Sequence, residues 1–440
     1  MEWIGEFMSR LSGFVWGIPL VALLFGTHLY LTWKTGFIQL KLPLALKMSF
    51  TGEKGAPGDI SHFGALTTAL AATVGAGNII GVGVAISAGG PGAVLWMWLT
   101  GVFGMATKYA EALLAVRYRV KNERGEMSGG PMFVLEHGLK LKWLGVVFAV
   151  FTAIAAFGIG NMFQAKSIAA QVVEHFPNGN ETFLRMLVGI GLAVATGVVL
   201  LGGIRWIARF CSAVVPFMVI AYVLGCLVIL LMNAPAVPSA VWLIITDAFT
   251  GQAVAGGALG AVIQAGIKRG LFSNESGLGS APIAAAAART SDPTRQALVS
   301  MTGTFWDTVV ICAMTGIVIV VTGAWQFEDN GSAMTHQAFE GIGFFGQGLL
   351  LFGLLTFVFS TLIGWSYFGE KAVEYLGGVR LIPVYRWLWV AAVFIGATAP
   401  SAVIIDFADS ANGLMAVPNL VSLLMLSGLI ASETRRFFKS

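Results

Sequence analysis

The chain has 440 residues, of which 57% are hydrophobic and 11% charged, with a net charge of +4. A soluble protein usually carries about 25% charged residues, so this composition excludes a water-facing globule. The small positive excess sits in loops and is explained by its position there, not by nucleic-acid binding.

The apolar residues come in runs of about 20, the length at which a helix crosses the hydrocarbon core of a bilayer. Backbone polar groups must be satisfied inside lipid, so such runs imply helices, and the short alternating segments of a β-barrel are absent. The fold class expected is an all-α polytopic membrane protein. Eleven spans are predicted, at 14–33, 63–88, 92–116, 143–173, 186–203, 208–232, 252–288, 297–322, 346–367, 387–404 and 411–432. The seventh is rich in glycine and irregular. The loop 34–62 reads as a connection with room for an interfacial helix. The first run does not read as a signal peptide, because Glu2 and Glu6 replace a basic leader and no small-residue cleavage site follows.

Loop charges set the orientation. Lys34, Lys41, Lys47, Lys54, Arg117, Arg119, Lys121, Arg124, Lys140, Lys142, Arg205, Arg209, Arg289, Arg295, Lys371, Arg380, Arg386, Arg435, Arg436 and Lys439 fall on one side, 20 of the 26 basic residues. The other side holds Arg10 and Arg185 with Glu174, Glu181, Glu328, Asp329 and Glu340. This predicts a multi-pass protein of the inner cell membrane, N-terminus outside and C-terminus in the cytoplasm. Cys211, Cys226 and Cys312 lie in apolar runs and read as small core residues. The five histidines show no metal-ligand spacing.

An internal repeat organises the chain. Asn78-Ile79-Ile80-Gly81-Val82-Gly83-Val84-Ala85 and Asn274-Glu275-Ser276-Gly277-Leu278-Gly279-Ser280-Ala281 both read N-x-x-G-x-G-x-A, every pair 196 residues apart. Met105 and Met301 extend the match. Five spans separate the two units, and five is odd, so the second unit enters from the opposite side. Inverted repeats with glycine-interrupted helices at matching places point to a substrate site near the midplane. A break frees N–H groups that bind an anion and carbonyls that bind a cation. Taken singly, either patch could instead serve close helix packing. The expected organisation is one transmembrane domain, with an extra first span at 14–33, a first repeat at 63–232 and a second at 252–432.

Lys108, Glu111, Glu275 and Asp307 are ionisable residues that fall inside spans. Such residues are costly in a membrane and mark functional sites. Lys108 and Glu111 stand three apart and can simply pair. Glu275 can cap the freed N–H groups, and Asp307 can hold a cation or bond structurally. Asn161, Gln164, Ser167 and Gln171 form a polar stripe on the fourth span, and Gln164 can meet either a polar substrate or a neighbouring helix. Ser360 and Thr361, with the carbonyl of Phe357, offer oxygens suited to a hard cation, or bond back to their own helix. Lys268 and Arg269 can line an entry vestibule, pair with Asp406 or Asp409 as a gate, or snorkel. No P-loop, nucleophile elbow, zinc spacing or dinucleotide fingerprint occurs, so neither ATP nor catalysis is expected.

The stretches Ala72-Thr73-Val74-Gly75-Ala76-Gly77-Asn78-Ile79, Arg269 to Pro282, Gly303-Thr304-Phe305-Trp306-Asp307-Thr308 and Ser360-Thr361-Leu362-Ile363-Gly364-Trp365 resemble the alanine or glycine:cation symporter family. The resemblance covers about 14 to 432 and implies a leucine-transporter fold, with a 5+5 inverted repeat and two discontinuous helices. It implies a substrate site at Gly75, Ala76, Gly77 and Asn78, with the Ala76 and Gly77 amides on a carboxylate. Ser276, Gly277 and Gly279 would line its other half, and Gln164 and Trp365 would complete it, Trp365 limiting side-chain size. It implies sodium held by the carbonyls of Ala71, Val74 and Phe357 with Ser360 and Thr361. Glu275 departs from the wider fold and puts a second sodium site in doubt. The expected function is sodium-driven uptake of alanine, glycine or a similarly small neutral amino acid. Proton coupling through Glu275 or Asp307 is the alternative, and a channel or amino-acid sensor is the alternative of another class.

Overall fold

The computed structural model describes residues 2–53, 55–176, 178–249, 259–327, 330–341, 343–398 and 402–439. Lys54, Glu328, Asp329, the start of the seventh predicted span and residues 399–401 of the tenth lie outside the described residues.

The chain is a bundle of long apolar helices. Among the described residues, seven are long and apolar enough to cross a membrane, or nine if each bent pair is one span. The other two predicted spans are the helix Ala93–Arg117 and the pair Leu259–Asn274 and Pro282–Ala285. Lys108 and Glu111 lower the apolarity of the first, and the second is short and interrupted. Large apolar side chains such as Val194, Phe217, Leu224 and Trp387 stand exposed on the outer helices, as a lipid-facing surface requires. Cys211, Cys226 and Cys312 are buried free thiols.

The centre of the bundle contains the two interrupted helices. The first consists of His62–Thr73 and Ala76–Gly89, bent by 43° at Val74-Gly75. The second runs to Asn274 and resumes at Pro282. Ala93–Arg117, Pro293–Val321 and Gly343–Gly377 pack around them. Outside these, Glu181–Leu201 lies against Ile382–Thr398.

Several details differ from the sequence reading. The first span is preceded by a separate helix, Glu2–Val15, joined to Ile18–Lys34 at Trp16-Gly17. Glu2, Glu6 and Arg10 on that helix kept it from reading as an apolar run. The fourth and eighth spans contain π-helical stretches, Ala156–Met162 and Phe305–Cys312, which side-chain periodicity does not reveal. The last span begins earlier, at Ala402, and turns by 59° before Ser427–Lys439. Short helices Val237–Asp247 and Gly331–Glu340 fill outer loops, and two-residue strands pair in the loop 118–130. The 34–62 connection contains the helix Leu42–Ser49.

Candidate functional site: two helix breaks and an oxygen-lined pocket

The first break is built by three residues. Val74 leaves the helical region at ψ 97, and Gly75 is extended at φ −143. Asn78 closes the turn, its Oδ1 accepting from the Gly75 amide at 2.8 Å. Its Nδ2 donates to Asp307 Oδ1 at 2.7 Å and to the Asp307 carbonyl at 3.1 Å. Both ends of the Asn78 amide are thereby engaged, so this residue positions the break. The amides at the start of Ala76–Gly89 have no intrahelical acceptor and carry the positive end of the helix dipole.

The long helix Gly343–Gly377 lies against this break. Thr361 Oγ1 lies 3.3 Å from the Val74 carbonyl and 2.9 Å from that of Phe357. Ser360 Oγ lies 2.8 Å from the Phe357 carbonyl and 3.4 Å from that of Ala71. The five oxygens expected to hold sodium therefore converge from two helices. Gly75 permits this approach, since a Cβ there would stand 2.7 Å from Thr361 Oγ1 and 3.8 Å from Gln164 Oε1. The Gln164 amide nitrogen donates to the Ile159 carbonyl at 3.1 Å, an acceptor released by the π-helical stretch. Its oxygen is buried beside Gly75 without a hydrogen-bond partner among the described residues.

The rest of the polar stripe disperses. Asn161 donates to the Trp389 carbonyl at 2.9 Å, and Ser167 bonds back to Phe163.

The second break is longer and of different chemistry. Glu275, Gly277 and Gly279 have φ of 54°, 91° and 88°, all in the region that favours glycine. Glu275 tolerates it with its carboxylate fixed by Ser280 Oγ and by Trp365 Nε1, the latter at 3.2 Å. It does not cap the helix. Gly277 is gripped from both sides. Its amide donates to Glu111 Oε1 at 3.0 Å, its carbonyl accepts from Asn419 Nδ2 at 2.9 Å, and Asn419 also donates to Glu111 at 2.7 Å. Glu111 is thus committed through Oε1 to the Gly277 amide and the Asn419 side chain and does not pair with Lys108, whose buried amine has no hydrogen-bond partner among the described residues.

The structure joins only part of the expected substrate site. Gly75, Ala76, Gly77 and Gln164 gather at the first break, whereas Trp365 bonds to Glu275 of the second break and packs on Gly160. Ser276 instead meets Thr304 Oγ1 at 3.1 Å, a Cβ on Gly277 would face Leu24, and one on Gly279 would face Pro131. What faces Gly77 is the turn before, Phe272 and Ser273, which the sequence reading passed over. Ser273 Oγ donates to Asp307 Oδ2 at 3.0 Å. Asp307, accepting also from Thr308 at 2.7 Å, ties the two breaks together through Asn78 and Ser273. The adjacency of Ser273 to the Asn274 motif was the available signal.

A cavity of about 290 Å³ opens onto the first break, lined by Ala76, Gly77, Phe163 and Phe272, with Arg269, Asp406 and Asp409 also on its wall. Lys268 is half-buried next to Arg269 and does not line it. Asp409 Oδ2 is taken by Ser12 Oγ at 2.5 Å, and Arg269 stacks over Phe272.

The opposite, arginine-rich end is shut. The Asp59 amide donates to Ala287 O at 2.8 Å and the Arg289 amide to Ile60 O at 2.7 Å. Arg119 donates to four carbonyls, those of Pro57, Ala286, Ala288 and Thr290, at 2.6–2.9 Å. Burial pushes the Asp59 carboxyl above its usual range, while its Oδ2 accepts from the Met127 amide. Burial also raises Glu53, but hydrogen bonds from Ser291 and Thr290 outweigh it and hold Glu53 below the ordinary carboxylate value.

A profile of the sodium:alanine symporter family matches residues 1–440. The chain is 49% identical over 441 residues to the sodium/alanine symporter AgcS of Methanococcus maripaludis, covering 98% of this chain and 96% of that protein. It is 48% identical over 445 residues to an uncharacterised transporter of Haemophilus influenzae, covering 99% and 96%. Among solved structures it is similar to MhsT in complex with L-phenylalanine, with a TM-score of 0.54 and 13% identity over 86% of this chain and 99% of that one. That likeness establishes the leucine-transporter fold of the bundle.

Proposed function

The chain belongs to the sodium:alanine symporter family, a family of transporters and not of enzymes, and from that membership we propose that it carries alanine together with sodium by alternating access. The observation that carries this reading is the set of five oxygens, from Ala71, Val74, Phe357, Ser360 and Thr361, gathered at a helix break. Sodium is a hard cation and takes oxygen ligands. With the ion present, the Ser360 and Thr361 hydroxyls turn their lone pairs toward it. The ion then bridges the first broken helix to Gly343–Gly377, so its arrival and departure change how those two elements pack.

The substrate lies beside it. The Ala76 and Gly77 amides hold the carboxylate, as helix N-termini hold anions. The unpartnered Gln164 oxygen accepts from the ammonium group. Trp365, fully buried between Gly160 and Glu275, limits the substrate side chain in the way the family resemblance implies, so glycine is a second substrate.

The cavity reaches Ala76 from the side of Arg269, while the arginine-rich side is closed by Arg119. By the loop charges, the closed side is cytoplasmic and the N-terminus is outside, in the inner membrane, and transport runs inward. Repeats 63–232 and 252–432 are the units that rock about the site. Proton coupling through Glu275 or Asp307 has less support, because neither carboxylate lines the cavity.

Uptake of labelled alanine into proteoliposomes tests the proposal. An inward sodium gradient should drive accumulation that a pH gradient does not replace. Equal uptake with and without sodium overturns the coupling, and uptake without saturable counterflow would indicate a channel.

A further inference from the structure

A second cavity lies away from the transport path, on the membrane-facing surface. It is an apolar groove of about 400 Å³ between Glu181–Leu201 and Ile382–Thr398, walled by Val194, Gly197, Leu201, Trp387 and Val390. Leu201 and Trp387 are 76% and 74% exposed, and at this depth the medium is lipid. Arg124 and Arg386 also line it. Arg386 gives Nε and Nη2 to Glu370 at 2.7 and 3.1 Å, which leaves Nη1 uncommitted. Arg124 is exposed and gives only one side-chain nitrogen, Nη2, to the Val379 carbonyl at 3.1 Å. Glu370 is the one acid hydrogen-bonded to this pair among the described residues, and Glu126 also acts on Arg386 through its charge. Arg205 and Arg380 stand in the chain next to the two helix ends that form the groove.

We propose that this groove binds one anionic phospholipid from the leaflet on the arginine-rich side, its phosphate at Arg124 and Arg386 and an acyl chain along Val194, Gly197 and Val390. Charge complementarity selects the occupant. The apolar walls take any acyl chain, but Arg124 and Arg386, with Arg205 and Arg380 at the adjoining helix ends, outnumber Glu370 and Glu126 and favour a headgroup with net negative charge. A choline headgroup places its own cation among them. Basic pockets between transmembrane helices bind anionic headgroups in this way. The site is separate from the oxygen-lined pocket, so it holds whether or not sodium is the coupling ion.

The test uses the full chain in detergent, titrated with phosphatidylglycerol or phosphatidylcholine of the same acyl chains, with retained lipid read by native mass spectrometry. One basic residue at a charged membrane surface contributes about 1 kcal/mol, so Arg124→Gln should lower the phosphatidylglycerol adduct about fivefold. Lys47→Gln, an equal charge loss at an exposed helix elsewhere on that side, should leave it unchanged. Gly197→Leu fills the groove, and should reduce both lipids; its Cβ meets Val390 at an ordinary 3.6 Å. Equal retention of the two lipids by the unaltered chain overturns the proposal, as does a Lys47→Gln loss as large as that of Arg124→Gln. Conversion of a dimer to a monomer by Gly197→Leu, seen in light scattering, would also overturn it, since the groove would then be an interface between copies.

Discussion

Removing the hydroxyls of Ser360 and Thr361 separates an ion site from a packing contact. Ser360→Ala and Thr361→Val each delete one oxygen of five and keep nearly the same volume. A hydroxyl dipole acting on a charge is worth about 1.5 kcal/mol, so each change should weaken sodium about tenfold. The two side chains share the Phe357 carbonyl, so their effects couple and the double variant should fall between about tenfold and about hundredfold. Folding should suffer less. The Phe357 carbonyl keeps its helical partner, and the lost bonds are neutral, at about 1 kcal/mol each. The assay is the sodium concentration giving half-maximal alanine uptake in proteoliposomes, alongside the thermal midpoint of the purified protein. A sodium dependence that stays unchanged while the midpoint holds would refute the assignment.

Gly75→Ala places a methyl carbon 2.7 Å from Thr361 Oγ1, so it should raise the sodium requirement as much as Thr361→Val does; a silent Gly75→Ala in the same uptake assay would show that the break does not touch the ion. Arg119→Ala removes four hydrogen bonds from the closure at the arginine-rich end, and hydrogen exchange at the Asp59, Ile60 and Arg289 amides should accelerate while amides elsewhere in the bundle keep their protection. Exchange unchanged at those three would mean that Arg119 is not the clamp. Glu53 gives a pH dependence. Its carboxyl is held below the ordinary value in the closed state, so the contribution of its bonds to Ser291 and Thr290 is fully present above that ordinary value and is lost as pH falls through the lowered one. The protection of the Ser291 amide, taken relative to its intrinsic exchange rate at each pH, should therefore fall on acidification in the unaltered chain and lose that pH dependence in Glu53→Gln; a pH-dependent protection retained in Glu53→Gln would assign it elsewhere.

Much of the bundle could be read from the sequence because lipid forces apolar runs into helices. The second break could be read because Gly277 and Gly279 stand where no ordinary side chain fits, but the matched Gly81 and Gly83 lie inside the continuous helix Ala76–Gly89 and the first break comes earlier, at Val74-Gly75. The oxygens of Ser360 and Thr361 were named by the resemblance; their hydroxyls lie 3.4 Å from the Ala71 carbonyl and 3.3 Å from that of Val74. Four things were hidden. The π-helical stretches leave no mark in side-chain spacing, yet Ala156–Met162 is what frees the Ile159 carbonyl and aims Gln164. The facing of the second break depends on positive φ at Glu275, which swings Ser276 and Gly277 toward Thr304 and Glu111 and leaves Phe272 and Ser273 opposite Gly77. The matched letters of the repeat implied two equivalent halves, but Asn78 is bonded across the bundle to Asp307, while Asn274 folds its oxygen onto the Ser276 amide. Lys108 and Glu111, three apart, suggested a pair; long-range packing instead gave Glu111 to Gly277 and Asn419.

The central claim is that sodium and alanine cross together, and coupling is reciprocal. Proteoliposomes loaded with equal sodium on both sides should therefore accumulate labelled sodium against its gradient when alanine alone is imposed as an inward gradient. Alanine-dependent sodium accumulation is the predicted result. Sodium entry that is the same with and without the alanine gradient would contradict the account.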